Sequence, residues 1–234
     1  MGRKLVLAVN YKAYYPHSLG ENAVRIARAA AKLSQELPDV ELIVAPPATE
    51  LRKVVEVVSG TDVKVFGQHA DPLEPGAITG YLPLEALKEA GAHGVILNHS
   101  EHRLKLSDIY TLIRKAGALG LRTLVCADVP ETGAAVATLG PTMVAVEPPE
   151  LIGTGISVSR AKPEVITRSV ELIRTINRDV VILTGAGISD GEDAYRAVKL
   201  GTSGVLVASA VVKSSDPYVI MRELAEGMLR ALRE

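Results

Sequence analysis

The sequence predicts an α/β fold, a closed (β/α)8 barrel that forms one domain over residues 1–234. Three observations favour this fold. The length of 234 residues is close to the ~250 residues that are typical of such barrels. Hydrophobic residues make up 47% of the chain but aromatic residues only 3%, so the core must consist mainly of Val, Ile, Leu and Ala. Finally, short apolar segments alternate with segments of helical periodicity along the whole chain.

The apolar segments are nearly continuous in their hydrophobicity and rich in β-branched residues. This pattern is typical of parallel strands that are buried on both faces. We therefore predict eight strands, over residues 5–10, 41–46, 64–69, 94–99, 122–127, 142–147, 180–185 and 204–209.

The segments between these strands carry apolar residues at the spacing of an amphipathic helix, as Ala23, Ile26 and Ala27 show. Residues 18–21 and 189–192 have the Ser-x-x-Glu spacing of a capping box, so we expect helices to start there. Strands that alternate with helices pair in parallel through right-handed crossovers. An open, doubly wound sheet is the alternative, but units of near-equal size favour closure into a barrel.

The charge balance gives no general attraction to nucleic acids or membranes, because 26 Lys and Arg residues face 27 Asp and Glu residues. The N-terminal residues 1–12 carry basic residues before an apolar run, but this run is too short for a signal peptide. No stretch approaches the ~18 apolar residues of a membrane span. The single cysteine, Cys126, fits a reducing compartment. We therefore expect a soluble, cytoplasmic protein.

Functional groups of a parallel barrel lie at the carboxyl ends of its strands. Polar residues occur repeatedly at these ends, at positions that are far apart in the sequence: Asn10 with Lys12 just beyond, Gln68 and His69, Asn98 and His99, Glu147, and Ser209 after Ala208. We expect these side chains to converge on one pocket.

Glu147 and His99 are the leading candidates for acid–base chemistry. Glu147 follows a run of apolar residues, so partial burial should raise its pKa and make it a stronger base. The alternative is a structural carboxylate that is paired with a nearby Lys or Arg. His99 also follows a buried strand, and it is either a catalyst or a hydrogen-bonded core residue.

Lys12 and Cys126 each have a structural alternative as well. Lys12 lies two residues beyond a buried strand, where a charge needs a partner. That partner is either a ligand anion or a carboxylate at the barrel mouth, such as Glu101. Cys126 has no evident base beside it, so a small buried apolar residue is favoured over a nucleophile.

The residues support neither a metal site nor a dinucleotide site. His99 and His102 have His-x-x-His spacing, but no cluster of Cys or carboxylates completes a metal site. Residues 153–158 and 185–190 contain Gly-x-Gly but have Val158 and Asp190 where a dinucleotide fingerprint requires Gly.

A phosphate group is the expected ligand at the ends of the last two strands, where barrels often bind phosphate through backbone N–H groups. Gly187, Ala208 and Ser209 lie there, and small residues allow a phosphate to approach the backbone. Ordinary tight turns are the alternative. The connection over residues 148–162 is long for a compact barrel, and long connections of this kind are often lids. We expect residues 148–155 to be the lid that closes over the phosphate.

Six segments together resemble the triosephosphate isomerase family, and in particular its shorter archaeal form. They are AVNYK at residues 8–12, FGQH at 66–69, ILNHSEHR at 96–103, AVEPPELIGTG at 145–155, TGAGIS at 184–189 and GVLVASA at 204–210. They occur in the order that the family has, and they span the chain from end to end. The fold that the resemblance implies is a TIM barrel, in agreement with the strand–helix pattern.

The resemblance implies reversible interconversion of dihydroxyacetone phosphate and glyceraldehyde 3-phosphate, without a metal or organic cofactor. It makes Glu147 the base that moves a proton between two substrate carbons, and His99 the group that polarises the carbonyl oxygen. Lys12 and Asn10 stabilise the developing oxyanion. The phosphate-binding residues that it implies are Ile152 and Gly153 of the lid, together with Gly187, Ala208 and Ser209.

Two other functions are open: another phosphate-binding barrel enzyme, or an inert barrel that serves as a binding module. The lid segment argues against another phosphate-binding enzyme. The presence of Asn10, Lys12, His99 and Glu147 at or just beyond the strand ends argues against an inert module. Residues 70–82 contain apolar side chains without an obvious partner at a barrel mouth. Because family members dock this loop into a neighbouring subunit, we expect a homo-oligomer, either a dimer or a tetramer.

Overall fold

A computed structural model of the chain describes residues 4–233, which form a closed barrel of eight parallel strands with helices between them. Residues 1–3 and 234, which the sequence analysis included in the domain and in the N-terminal segment, lie outside the described residues. The strands are β1 Leu5–Asn10, β2 Val40–Ala45, β3 Lys64–Gly67, β4 Gly94–Leu97, β5 Arg122–Ala127, β6 Met143–Val146, β7 Val181–Thr184 and β8 Gly204–Val207.

The helices pack around the outside of the barrel. They are α1 Glu21–Glu36, α2 Leu51–Val57, α3 Leu84–Glu89, α4 Leu106–Ala118, α5 Pro130–Ala137, α6 Val158–Ala161, α7 Pro163–Ile176, α8 Gly191–Lys199, α9 Ser209–Val212 and α10 Pro217–Arg233, with a short 3-10 helix at Pro149–Leu151. Among residues 4–233, no helix combines the length and the apolar character that crossing a membrane requires.

The order of the strands around the barrel is their order in the sequence, and β1 closes the barrel by pairing with β8. This confirms the predicted (β/α)8 barrel and excludes the open sheet. Several strands end one or two residues before the predicted position. The polar residues at those ends, such as Asn98, Glu147 and Ser209, therefore follow the strands instead of belonging to them. Asn98 leaves the ladder because its backbone is left-handed, with φ of 59°.

Two apolar layers result from the alternation of side chains along each strand. On β1, Leu5, Leu7 and Val9 pack outward against the helices, whereas Val6 and Ala8 belong to a separate inner cluster. Residues from all eight strands contribute to this inner cluster: Val6, Ala8, Ile43, Ala45, Phe66, Ile96, Leu124, Cys126, Met143, Ala145, Leu183 and Leu206. The barrel is therefore filled below its carboxyl end, and the space for a ligand lies above this layer.

The two predicted capping boxes are not formed as expected. Helix α1 begins at Glu21 without a side-chain cap, because Gly20 and not Ser18 stands at its N-cap position. Ser18 lies two residues before the cap, and its hydroxyl donates to the carbonyl of Tyr14. Helix α8 is capped one residue later than predicted, since the Asp190 side chain accepts from the N–H of Asp193. Both helices nevertheless start near the predicted positions.

Gly204 lies at the seam where β8 meets β1. Its φ is 152°, and a Cβ at this position would lie 1.9 Å from the carbonyl oxygen of Val6. Any side chain would therefore push apart the two strands that close the barrel. Gly117, on the exposed side of α4, is the opposite case, since a Cβ there would have nothing within 4 Å.

Replacing these two glycines by alanine should have effects of opposite sign. We expect Gly204→Ala to lower the free energy of unfolding by about 1–3 kcal/mol or more, because the clash is with backbone. Gly117→Ala should raise it by about 0.5–1 kcal/mol, because alanine loses less entropy in a helix. Urea denaturation of both variants measures the difference. Equal effects would contradict the assignment of Gly204 to the closing seam.

Candidate active site

A cavity of about 200 Å³ opens at the carboxyl ends of the strands. It is lined by all nine residues to which the sequence gave a catalytic or substrate-binding role: Asn10, Lys12, His99, Glu147, Ile152, Gly153, Gly187, Ala208 and Ser209. Three other strand-end residues that were expected in the same pocket line adjacent cavities instead: Gln68 and His69 one of them, and Asn98 another. Tyr14, Gly155, Ala186, Ile188, Ser189, Leu206, Val207 and Ala210 complete the lining. Residues that are more than 190 positions apart in the sequence thus meet at one pocket, as expected for a barrel.

The alternation of side chains along the strands explains why polar groups gather at this end of the barrel, some lining the cavity and others beside it. Each polar residue follows an inner-cluster residue by two positions: Asn10 follows Ala8, Gln68 follows Phe66, Asn98 follows Ile96, Cys126 follows Leu124, and Glu147 follows Ala145. Because the period of a strand is two, these residues continue the inward-facing rows. They form a polar layer directly above the apolar core.

The carboxyl group of Glu147 is buried in this layer. The residue is 8% exposed, and its Oε2 atom accepts no hydrogen bond from residues 4–233. Burial raises the pKa of Glu147 from its ordinary 4.5 to about 7, although the charge of Lys12 and a hydrogen bond from the Cys126 thiol lower it. A carboxylate with this pKa is a competent base near neutral pH.

His99 presents Nε2 to the carboxyl group, at 3.8 Å from Oε2 of Glu147. This distance is too long for a hydrogen bond, so both groups keep their hydrogen-bonding capacity for a ligand. On the other side of the ring, the backbone N–H of Glu101 donates to Nδ1 over 3.1 Å. Nδ1 must then be unprotonated, which places the proton of the neutral ring on Nε2.

The charge state of His99 follows from its surroundings. Burial lowers the pKa of His99 below its ordinary 6.5, and the nearby charge of Lys12 lowers it further, while Glu101 partly opposes both effects. The resting ring is therefore neutral at neutral pH. It can donate a hydrogen bond from Nε2 to a ligand oxygen.

Lys12 has a carboxylate partner, which was one of the two alternatives that the sequence left open. Its Nζ atom lies 2.5 Å from Oε1 of Glu101, and the Lys12 side chain is only 8% exposed. Its backbone is left-handed, with φ of 51°, which turns the chain from β1 over the mouth of the barrel. Glu101 itself is largely exposed, so the pair joins the buried cavity to the surface.

Asn10 and Gln68 hold the start of this turn. The Oδ1 atom of Asn10 accepts from the backbone N–H of Lys12 at 3.0 Å and from Nε2 of Gln68 at 3.2 Å. Nε2 of Gln68 also lies 3.1 Å from the carbonyl oxygen of Lys12 and 2.9 Å from that of Ala45. Both bonds to Asn10 use Oδ1, so its Nδ2 group is the part that can donate to a ligand.

Sequence reasoning missed the supporting roles of Gln68, Asn98 and Cys126. Asn98 donates to the carbonyl of Cys126 at 3.0 Å and accepts from the N–H of Leu104 at 2.9 Å, which fixes the loop after β4. Burial, and the adjacent Glu147, hold the pKa of the Cys126 thiol well above its ordinary range, so the thiol stays protonated and is no nucleophile. The period-two rows of the strands were the signal that could have placed all three residues in the site.

The part of the cavity lining that follows β7 and β8 contains several small residues, among them Gly187, Ala208 and Ser209. Gly187 has φ of 71°, and a Cβ there would lie 1.9 Å from the carbonyl oxygen of Ile156. Only glycine therefore allows the chain that follows the predicted lid to pass against the β7 loop. The N–H of Val158 bonds to the carbonyl of Ala186 at 3.1 Å and holds this contact.

The predicted lid leaves β6 through Glu147 and contains the 3-10 helix Pro149–Leu151. Ile152, Gly153 and Gly155 face the cavity. Glu150 points away from it, since its half-exposed carboxylate pairs with Lys162, which lowers the pKa of Glu150. The two carboxylates of this segment thus lie in opposite environments.

The His-x-x-His spacing does not correspond to a metal site. Within the described part of the chain, no group of three or more His, Cys, Asp or Glu residues is placed to hold a metal ion. The ring of His102 instead stacks on that of His69.

Comparison with known proteins places this geometry in a family. The family model described as triosephosphate isomerase matches residues 5–225. The chain belongs to the triosephosphate isomerase family. It is 53% identical to the triosephosphate isomerase of Caldivirga maquilingensis over 224 residues, which cover 96% of this chain and 97% of that protein. It is 47% identical to the Methanothermus fervidus enzyme of the same name, over 95% of this chain and 98% of that protein.

A solved structure shares the fold. The crystal structure of triosephosphate isomerase from Bartonella henselae aligns with a TM-score of 0.74, over 99% of this chain and all of that chain, at 20% sequence identity. This chain and the bacterial protein therefore share the same barrel fold.

The ionisation of His99 can be measured by ¹⁵N NMR of the imidazole. We expect the Nε2–H form at neutral pH and a titration midpoint below 6.5, because burial and Lys12 disfavour the imidazolium. In Lys12→Met the midpoint should move upward, since the largest charge effect that lowers the pKa of His99 has been removed. A protonated ring at neutral pH, or the Nδ1–H form, would contradict the geometry described above.

Proposed function

We propose that the chain catalyses the reversible interconversion of dihydroxyacetone phosphate and D-glyceraldehyde 3-phosphate, a reaction of glycolysis and gluconeogenesis. One observation carries the proposal beyond family membership: a desolvated carboxylate with a pKa of about 7 faces the Nε2–H of a neutral histidine across 3.8 Å. A base and a neutral hydrogen-bond donor in this arrangement suit proton abstraction from a carbon next to a carbonyl group.

In the proposed first step, the Glu147 carboxylate takes a proton from the substrate carbon beside the carbonyl. The C–H electron pair becomes a carbon–carbon double bond, and the carbonyl electrons move to the oxygen to give an enediolate. Nε2–H of His99 donates to that oxygen and moves a proton between the two substrate oxygens. The protonated Glu147 then returns its proton to the neighbouring carbon. All atoms balance, and the steps need no oxidant, metal or organic cofactor.

Lys12 and Asn10 are proposed to stabilise the negative charge that develops on the substrate oxygens. Lys12 is nearly buried, so its charge acts through a medium of low effective dielectric constant. Its bond to Glu101 and the hydrogen bond from the Lys12 N–H to Oδ1 of Asn10 hold both groups in place before the substrate binds. Preorganised groups of this kind lower a barrier without reorganising during the reaction.

The phosphate group is proposed to bind at the opposite end of the cavity, against Gly187, Ala208 and Ser209. Small side chains line this end and leave the backbone accessible. Ile152 and Gly153 face the same cavity from the lid, over residues 148–155. Closure of the lid would exclude water from the enediolate and strengthen the electrostatic interactions around it.

The alternative functions are less favoured. Another phosphate-binding barrel enzyme would not account for the match of the whole chain to triosephosphate isomerases. An inert binding module would not require a base with a raised pKa beside a neutral histidine. We further propose that residues 1–234 form one catalytic domain and that the protein acts in the cytoplasm, where the buried Cys126 thiol would stay reduced.

Substitutions of Glu147 test the proposed base. General-base catalysis contributes about 10²- to 10⁴-fold, so Glu147→Gln should lower kcat at least this much while the protein stays folded. Glu147→Asp retracts the carboxylate by one methylene and should fall between wild type and Glu147→Gln, since misplacement by about 1 Å can reduce the rate about 10²-fold. A coupled assay of glyceraldehyde 3-phosphate turnover, without added metal, measures kcat.

Glu150→Gln is the matched control for this series. It removes a carboxylate three residues away, in the same lid, but one that pairs with Lys162 outside the cavity. Its kcat should remain within about twofold of wild type. Loss of turnover in Glu150→Gln but not in Glu147→Gln would overturn the assignment of the base.

The oligomeric state is a second proposal, a homo-oligomer that is at least a dimer. Residues 71–82 form a loop whose base is closed by two hydrogen bonds between Asp71 and Leu82, at 2.8 and 2.7 Å. Tyr81 in this loop is 59% exposed. A projecting loop with a firm base and exposed aromatic surface is suited to docking into a second copy of the chain.

Light scattering at micromolar concentration should therefore give at least twice the mass of one chain. Ile78→Asp places a charge in the docking loop and should lower the observed mass. Val219→Asp, at an exposed apolar position on α10, is the control and should leave it unchanged. A monomeric wild-type protein would contradict the proposed oligomer.

A further inference from the structure

A second, smaller cavity of about 140 Å³ lies beside the proposed substrate cavity. The two cavities share Asn10, Lys12 and His99, and the smaller one is also lined by His69, His102 and other polar groups. The imidazole rings of His69 and His102 stack, with centroids 3.8 Å apart and planes inclined by 14°. These two residues belong to different loops, which follow β3 and β4, and the proposed reaction uses neither.

On one side, the stack supports the turn that carries His99, the proposed hydrogen-bond donor to the substrate oxygen. The N–H of His102 donates to the carbonyl of His99 at 2.8 Å and closes the turn over residues 99–102. Within the same turn, the N–H of Glu101 donates to Nδ1 of His99. The Glu101 carboxylate holds Nζ of Lys12. A shift of His102 would therefore move both the donor that fixes the His99 tautomer and the partner of Lys12.

On the other side, His69 is held by bonds that do not involve this turn. Its Nε2 atom lies 3.3 Å from Oδ1 of Asp71. The other oxygen of Asp71 accepts from the N–H of Leu82, and the N–H of Asp71 donates to the Leu82 carbonyl. His69 is thus fixed to the closed base of the 71–82 loop, and its ring is a firm surface for His102.

We propose that the stacked pair of His69 and His102 is a positioning device for the reaction: it holds the 99–102 turn so that His99 keeps Nε2–H directed at the substrate oxygen. Neither histidine touches the substrate. The proposal rests on the proposed role of His99. It requires the ring face at position 102, and not the ionisable nitrogen atoms there, since contact between flat rings is what restrains the turn. At position 69 it requires the ring together with the contact between Nε2 and Asp71 that holds the ring in place.

The test compares removal of the ring with its replacement by another flat ring. His102→Ala should lower kcat about tenfold, because small misplacements of a catalytic group are costly. KM should stay within about twofold, because the phosphate is held by residues at the other end of the cavity. His102→Phe keeps a ring face and should recover most of the lost kcat. His69→Phe keeps a ring face but loses the contact with Asp71, so its kcat should fall between those of His102→Phe and His102→Ala.

His93→Ala is the control for a merely structural role. His93 is a partly buried histidine near the amino-terminal ends of the strands, where its Nδ1 atom accepts from the N–H of Val65 at 3.1 Å. Its loss should lower the melting temperature without changing kcat. Unchanged kcat in His102→Ala, failure of a folded His102→Phe to recover activity, or a rise in KM at constant kcat would each overturn the proposal.

A spectroscopic measurement separates this proposal from the proposed function. In wild type, the ¹⁵N shifts of His99 should show a single Nε2–H form, and in His102→Ala they should show a mixture with the Nδ1–H form. This readout does not require turnover. If wild type lacked isomerase activity, the proposed function would fail, while the tautomer of His99 in His102→Ala would still decide whether the stack positions it. An unchanged single form in that variant would overturn the positioning role.

Discussion

The Glu147 carboxyl group imposes the main constraint on the carboxyl end of the barrel, because a carboxylate is difficult to ionise where water is excluded. Its Oε2 atom has no hydrogen-bond donor among the described residues, and burial is the main cause of its raised pKa. What keeps ionisation possible near neutral pH is the charge of Lys12, held nearby by Glu101. The ends of β1, β4 and β6 must therefore meet at fixed distances, and this requires a closed sheet.

In the closed barrel, the alternation of side chains along the strands brings polar groups together at the carboxyl end. The inner rows of β1, β3, β5 and β6 end in Asn10, Gln68, Cys126 and Glu147, directly above the apolar cluster. Gln68 bonds to Asn10, to the carbonyl of Lys12 and to the carbonyl of Ala45, so one amide ties the ends of β1 and β2 to its own loop. The barrel thus supplies a rigid wall on which the charged groups are held before any ligand binds.

The sequence predicted the barrel because buried parallel strands have a pattern that can be read locally, and it placed Glu147 and His99 at strand ends for the same reason. It did not predict the support given by Asn98 or Cys126, since those contacts join β4 to β5 and β5 to β6 and depend on register. The capping box at Ser18 did not form because the helix starts two residues later than that spacing implies, with Gly20 at the N-cap. The exact start of a helix depends on tertiary geometry, which spacing alone does not contain.

The raised pKa of Glu147 also links the site to stability. The folded chain holds this proton up to a pH of about 7, whereas an unfolded chain releases it near 4.5. Between these values the folded state binds more protons, so the contribution of this group to stability is full below 4.5 and is lost as the pH rises to about 7. The difference corresponds to roughly 3 kcal/mol. At neutral pH the ionised, desolvated Glu147 therefore lowers the free energy of unfolding, and burial of the apolar layers beneath and around it must compensate for this loss. A weaker core would tolerate only a solvated carboxylate, which is a poorer base.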